Sequence, residues 1–440
     1  MNDPTRARVS IVTFGCRVNQ YESEMMRRVL LDERMEVVDS NAEVYLLNAC
    51  TVTALAERKA RQAARRIRAM HPEARIVLVG CLADAVERGL AQFAEADLLA
   101  GNAWKTHPEE LVAAARQGRR GLLPRGPAGS LDAERAGAPA DRVRAYLKVQ
   151  DGCSHACTYC RPTLVRGPSR SKSADAAFAE AAALVAAGVP ELVVTGVDLA
   201  DYGGRDRALP TLLLRLLELR NLRRVRLASL NIDGVSDALL AAFRSDDRLC
   251  RHFHLPAQSG DDAILAAMGR PYTAAVYRDV VARVRDALPN ATFGTDLIVG
   301  FPGESDDALE RTCRLIEDVR FSNLHVFRYS PRPGTPAAAL AGVVPVEAER
   351  RRAERVADAW RPVRERLLDG RRGRVEDVLV EERTGRQHRG YTSDYIRVTF
   401  DASTARPVGV EHPVRITRTL PDGLEGVSED RDDSDGTHPA

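Results

Sequence analysis

Short apolar runs alternate with longer amphipathic stretches along most of the chain, and the runs have the length of strands. Within 7–116 the runs at 9–13, 44–47, 75–79 and 98–100 are separated by Ala- and Arg-rich sequence of helical period, which predicts a small α/β domain with a parallel sheet. From 117 to 141 the period dissolves into Gly, Pro, Arg and Ala, as in an exposed linker. The rhythm resumes over 142–368, with strands expected at 145–149, 191–195, 224–228, 251–255, 292–299 and 323–327 and helical sequence between them. Repeated βα units of this kind predict a partial (β/α) barrel. A long charged helix, 346–368, closes that region. Over 369–427 the alternation changes to period two, at 375–380, 395–400 and 412–416, as in a small all-β barrel. The stretch 428–440 is acidic and polar and reads as a disordered tail.

Composition adds bounds. With 440 residues, 44% of them hydrophobic, there is material for more than one packed core. A formal net charge of +2 excludes a general nucleic-acid coat, so any RNA contact must come from local patches. Two are visible: Arg58, Arg61, Arg65, Arg66 and Arg68 on one predicted helix, and Arg371, Arg372 and Arg374 ahead of the β-barrel. They are either phosphate contacts or solvated faces. The first apolar stretch, 9–14, is too short for a signal sequence or a membrane span, so the expected location is cytoplasmic, with no membrane partner. Thiols stay reduced there, and clustered cysteines are then metal ligands before they are disulfides.

Asp151-Gly-Cys153-Ser-His-Ala-Cys157-Thr-Tyr-Cys160 sets three thiols at CxxxCxxC spacing just after a predicted strand. Three sulfurs on one tight loop can hold three irons of a [4Fe–4S] cube and leave the fourth open, the arrangement that reductive cleavage of S-adenosylmethionine needs. The competing reading is a structural zinc loop using His155. Cys16, Cys50 and Cys81 each follow a strand of the first domain, and the carboxyl ends of parallel strands face one crevice, so these three can form a second three-thiolate site or be small buried hydrophobes. Cys250 and Cys313 have ordinary pre-strand and helical context. Three further residues are candidates for cofactor binding. Gly196 ends a strand, where it allows close backbone approach or simply a turn. Gln258 follows an apolar run, and its neighbour Ser259 reads as the cap of a helix starting near Asp261. Asp296 interrupts an apolar strand, either facing a cationic sulfonium or held by structural hydrogen bonds.

These segments resemble the methylthiotransferase family of radical S-adenosylmethionine enzymes, over nearly the whole chain. The resemblance is carried by Gly15-Cys16-Arg17-Val18-Asn19-Gln20-Tyr21-Glu22-Ser23-Glu24, Asn48-Ala49-Cys50-Thr51-Val52 and Gly80-Cys81 in the first domain. In the central one it is carried by Thr195-Gly196-Val197, His254-Leu255-Pro256-Ala257-Gln258-Ser259-Gly260, Met268-Gly269-Arg270-Pro271-Tyr272-Thr273, the run from Thr295 to Glu304 and that from Tyr329 to Thr335. It implies two [4Fe–4S] clusters, one on Cys153, Cys157 and Cys160 that cleaves S-adenosyl-L-methionine and an auxiliary one on Cys16, Cys50 and Cys81 that carries the transferred sulfur. It also implies a C-terminal RNA-binding barrel of the TRAM kind, an electron donor such as flavodoxin or ferredoxin, and a tRNA anticodon loop as substrate. The first motif is most similar to the branch acting at C2 of N6-threonylcarbamoyladenosine at position 37. The alternatives are the branch acting on isopentenyladenosine, a relative acting on a ribosomal-protein side chain, and a noncatalytic iron–sulfur RNA-binding or sensor protein. The pattern breaks twice. Arg161-Pro162-Thr163 stands where the family usually has Ile-Ile-Pro, and Ser229-Leu230-Asn231-Ile232 where it tends to have a Ser-x-Glu-Pro turn.

Overall fold

The computed structural model describes residues 6–127, 129–139, 141–402 and 406–429, so the expected tail lies outside the described residues beyond Glu429. The first region is a six-stranded parallel sheet formed by β1 (Arg8–Phe14), β2 (Glu36–Val37), β3 (Val44–Ala49), β4 (Arg75–Val79), β5 (Leu98–Ala100) and β6 (Gly121–Leu122), in the order β2-β1-β3-β4-β5-β6. Helices α1 (Arg17–Asp32), α2 (Ala54–Met70), α3 (Cys81–Glu87) and α4 (Pro108–Arg116) connect the strands. Both faces of the sheet are buried, one under α1 and α4 and the other under α2 and α3, which is why β3 reads as a continuous apolar run. The segment after α4 is not bare linker: β6 lies within it as an edge strand, and Leu123, Leu131 and Ala136 are buried.

The central region carries six parallel strands in two groups. β7 (Arg144–Lys148), β10 (Glu191–Thr195) and β11 (Arg224–Leu227) form one; β12 (His252–His254), β13 (Thr292–Val299) and β14 (Asn323–Arg328) form the other. Parallel bridges, Val225 to Leu249 and Ser229 to His254, join β11 to β12, so the strands make one open barrel with β7 and β14 at its free edges. A small ribbon of β8 (Gln150–Asp151) and β9 (Arg170–Ser171) flanks α5 (Pro162–Arg166) at the top of β7. Outside run α6 (Ala174–Ala186), α7 (Leu209–Leu216), α8 (Asp237–Ser245), α9 (Asp262–Ala267), α10 (Ala274–Ala287), α11 (Asp306–Val319) and α12 (Val346–Asp369). Ser173, Ser236, Thr273 and Ser305 cap α6, α8, α10 and α11 by accepting from a backbone N–H three residues on, which fixes where each helix starts. For α9 the cap is Asp261, not Ser259. Ser259 instead accepts from the Asp261 N–H and meets the Thr312 hydroxyl, because the helix begins one residue later than its apolar pattern implies.

The last region is a closed barrel of β15 (Val375–Thr384), β16 (Gln387–Thr392), β17 (Arg397–Asp401), β18 (Glu411–Leu420) and β19 (Gly423–Ser428). It docks under the open barrel through two buried arginines of β11. Arg224 donates to the carbonyls of Tyr391 (2.8 Å) and Asp377 (2.9 Å) and pairs with Glu411. Arg226 pairs with Glu191 at 2.7 Å and donates to the Ser393 carbonyl at 2.8 Å. Removing one partner of a buried ion pair costs about 3–5 kcal/mol. Arg226→Met is therefore expected to lower the unfolding temperature by several degrees and to open the β16–β17 turn to protease, as limited proteolysis would show. Among the described residues no helix is long and apolar enough to cross a membrane.

Candidate functional site

Gly15 and Gly80, at φ +124° and +100°, each precede a cysteine at a strand end. A Cβ on Gly15 would overlap Cys50, and one on Gly80 would meet the Lys105 side chain at 2.8 Å, so these glycines allow Cys16, Cys50 and Cys81 to converge. Burial pushes the Cys50 thiol up to about 12, with the neighbouring Cys16 and Cys81 adding to it. Burial also raises Cys81, against the opposing pull of Arg166 and Lys105. Amides sit beside the sulfurs: Asn19 3.9 Å from Cys16 and Asn102 3.6 Å from Cys81. Cys16 is exposed.

Cys153, Cys157 and Cys160 occupy the loop between β8 and α5. Burial pushes Cys153 up to about 12, and Asp198, Cys160 and Cys157 add to this, while burial raises Cys160 to about 11. In neither trio do all three sulfurs lie within 4.8 Å of one another. A tetrahedral zinc site built on Zn–S bonds of ~2.3 Å needs sulfurs ~3.8 Å apart, so neither trio is drawn together as in a closed zinc site. His155 is turned to Asp198, at 3.0 Å, where it holds that carboxylate rather than completing a zinc shell.

The two trios are tied together by one buried network. Glu22 of α1 meets Lys105 of its own domain, Lys148 of β7 at 3.0 Å and Arg166 of α5 at 2.7 Å. Arg166 also reaches Asp151 at 2.9 Å and the Asn19 side-chain oxygen at 3.0 Å. Burial pushes the Glu22 carboxyl up, but Arg166, Lys105 and Lys148 outweigh it and hold it well below its ordinary value. Arg166 thus stands between the neighbours of Cys16 and the loop of Cys153.

Family models match in two places, the radical SAM superfamily over residues 147–316 and an uncharacterized protein family, UPF0004, over 8–101. The threonylcarbamoyladenosine tRNA methylthiotransferase MtaB of Thermotoga maritima is 36% identical over 94% of this chain and 96% of its own. That of Bacillus subtilis is 31% identical over 90% of each. The chain belongs to the radical S-adenosylmethionine methylthiotransferase family. A further relative, the tRNA-2-methylthio-N(6)-dimethylallyladenosine synthase of Alkalilimnicola ehrlichii, is 34% identical over 95% of this chain and 97% of its own. Among solved structures, the radical S-adenosylmethionine methyltransferase TsrM of Kitasatospora setae shares the fold, with a TM-score of 0.57 at 15% identity over 76% of this chain and 75% of that one. Membership of this radical S-adenosylmethionine family brings a [4Fe–4S] cluster and S-adenosylmethionine to the chain.

Within this methylthiotransferase the two departures from the family pattern have visible work. Arg161 is buried and donates to the carbonyls of Leu90 (2.7 Å) and Pro333 (2.8 Å), stapling the cysteine loop to the first domain. Asn231 donates to Asp198 at 2.9 Å and accepts from Arg270 at 2.8 Å, which a carboxylate, being acceptor only, would not do. Arg270 in turn lies 3.4 Å from the Cys157 sulfur. Gly196 packs against Gln150, whose side chain a Cβ there would meet at 2.8 Å. Gln258 is held at φ +68°, and its backbone bonds to Asp296 and Ile298. Asp296 is held by His254 at 3.1 Å and His325 at 3.0 Å, both on the same oxygen. Burial pushes its carboxyl up, but these two imidazoles outweigh it and hold it well below its ordinary value.

Asp198, Arg270, Glu22, Lys105 and Arg166 lie around the two cysteine trios and were not singled out by sequence reasoning. Of the arginines grouped as phosphate contacts, Arg61 and Arg65 pair with Glu95, Arg68 with Asp97, and Arg371 with Glu376 and Asp394. Arg58 and Arg66 remain exposed on α2.

Proposed function

We propose that this chain is a tRNA methylthiotransferase that places a methylthio group on C2 of N6-threonylcarbamoyladenosine at position 37, beside the anticodon. The observation that carries the reading is the pair of three-cysteine sites, one at the sheet ends and one beside the barrel mouth, joined through Glu22 and Arg166. Cys153, Cys157 and Cys160 hold one [4Fe–4S] cluster and Cys16, Cys50 and Cys81 a second. Bound there, the first cluster would supply the electron for reductive cleavage of S-adenosylmethionine, the radical chemistry that an unactivated aromatic C–H bond requires, and the second would supply the sulfur for transfer.

The chain's own residues position the parts. Glu22, Arg166 and Lys148 fix the first domain on the barrel, Asp198 and Arg270 brace the cysteine loop, and Gly196, Gln258 and Asp296 line the barrel toward S-adenosylmethionine. An anticodon-loop base is unpaired, so it can be splayed into the barrel at low unstacking cost. The C-terminal barrel, with Arg58 and Arg66, meets the RNA backbone. A cytoplasmic flavodoxin or ferredoxin supplies electrons.

Mass spectrometry of tRNA nucleosides from cells lacking the gene tests this. The methylthio form of threonylcarbamoyladenosine is expected to disappear while its unmethylthiolated parent accumulates. Loss of the methylthio group from the isopentenyl nucleoside instead would reassign the base, and an unchanged tRNA profile would turn attention to a ribosomal-protein side chain or to a noncatalytic role.

A further inference from the structure

Arg17 is the first residue of α1, joined by a peptide bond to Cys16, and is half-buried. Its charge acts on His252 and Tyr395, whose rings lie 5.3 Å apart at the floor of the open barrel. Burial pushes the Tyr395 phenol up, but Arg144, Arg17 and Arg226 outweigh it and hold it below its ordinary value. Arg17 of the first domain is therefore near enough to His252 of the open barrel and Tyr395 of the C-terminal barrel for its charge to act on both. Two other arginines share that neighbourhood, and acids answer both: Glu381 pairs with Arg144 at 2.7 Å and Glu191 with Arg226 at 2.7 Å. Arg17 is different. Among the described residues it has no carboxylate and no hydrogen-bond partner.

β14 is one of the two free edges of the open barrel. On β14 the alternate residues His325 and Phe327 share the face that Asp296 occupies on β13, 57% and 42% exposed, with their rings 6.4 Å apart edge to face. An aromatic pair left open at a strand edge suits a base laid flat against it. His325 pairs in register with Asp296, so Asp296 already has its cations, His254 and His325, and makes no demand on Arg17.

We propose that Arg17 is a specificity-determining residue, the receptor for the carboxylate that a threonylcarbamoyl group adds to adenine. The inference rests on the base assignment given under Proposed function. In such a base the N6 substituent hangs from C6, and C6 and C2 flank the same ring nitrogen. The carboxylate therefore lies on the reacting side of the ring, and its receptor must stand beside the sulfur-donating site. Arg17, next to Cys16, stands there. A guanidinium can take a carboxylate through two parallel hydrogen bonds, and at a half-buried position it discriminates against any neutral substituent.

The test compares two anticodon stem-loops that differ only in this group, one carrying threonylcarbamoyladenosine and the other its carboxamide. The reconstituted holoenzyme is assayed for both binding and turnover. Wild type is expected to prefer the carboxylate by roughly tenfold to a hundredfold in Kd and in kcat/KM. Arg17→Gln is expected to abolish the preference and Arg17→Lys to keep most of it. Because the preference is a ratio within each preparation, incomplete cluster loading cancels. A wild type that binds both RNAs equally, or an Arg17→Gln enzyme with the preference intact, overturns the Arg17 assignment while leaving the base assignment standing. A wild type that neither binds nor modifies the threonylcarbamoyl RNA removes the base assignment and this proposal with it.

Discussion

Alanine in place of Cys153, Cys157 and Cys160 together is expected to halve the iron bound after anaerobic reconstitution, from about eight atoms per chain to about four. It is also expected to abolish release of 5′-deoxyadenosine in the presence of dithionite and S-adenosylmethionine. The three thiols share one loop, so no other sulfur replaces them: Cys250 and Cys313 are buried, Cys250 at the foot of β12 and Cys313 within α11. The fold should survive, because the loop is held independently by Arg161 and by the Thr158 N–H donating to the Met268 carbonyl. Iron analysis and chromatography of the nucleoside products decide it. Continued 5′-deoxyadenosine formation would refute the assignment of this trio.

The matching replacement of Cys16, Cys50 and Cys81 is expected to halve the iron as well but to separate two readouts that otherwise move together. Methylthio transfer to tRNA should vanish, whereas some cleavage of S-adenosylmethionine should continue, uncoupled from product. The separation follows from position: these thiols lie at the ends of β1, β3 and β4, and their link to the other loop runs through Glu22, Asn19 and Arg166, none of which is replaced. Undiminished iron in this triple variant would sink the second cluster.

Much of this was readable in the sequence because strands buried on both faces leave continuous apolar runs, and such runs mark β3, β4, β5 and β10 nearly to the residue. β2 and β6 were not readable, since two-residue edge strands with no buried residue carry no period. β16 and β19 were missed for a related reason: each contains glycines, at 390, 423 and 426, where neighbouring backbone comes too close for a side chain, and glycine erases alternation. The CxxxCxxC loop stood out by spacing, and Cys16, Cys50 and Cys81 by their places directly after strands. Glu22 left a signal that went unused, for it shares the buried face of α1 with Val18, Met25 and Met26, and an acid on an apolar stripe must have a buried partner. Lys105 left none, because a lysine in a short 3-10 turn looks like any surface lysine until the fold places it against Glu22. Arg161 was visible as a departure, but its acceptors, carbonyls 71 and 172 residues away, are set only by tertiary structure.

The turn after β16 bears on how this enzyme can be rebuilt. Tyr395 stands there at φ +69° with its ring stacked on Tyr391 at 5.1 Å, and the adjoining carbonyls of Ser393 and Asp394 accept from Arg226 and Thr292 of the open barrel. A chimera that borrowed the C-terminal barrel of a distant homologue would keep a folded module and lose the plug. To graft successfully, the donor segment must bring Tyr391 through Tyr395 as one block, or the recipient must exchange Arg224, Arg226 and Glu191 in the same step.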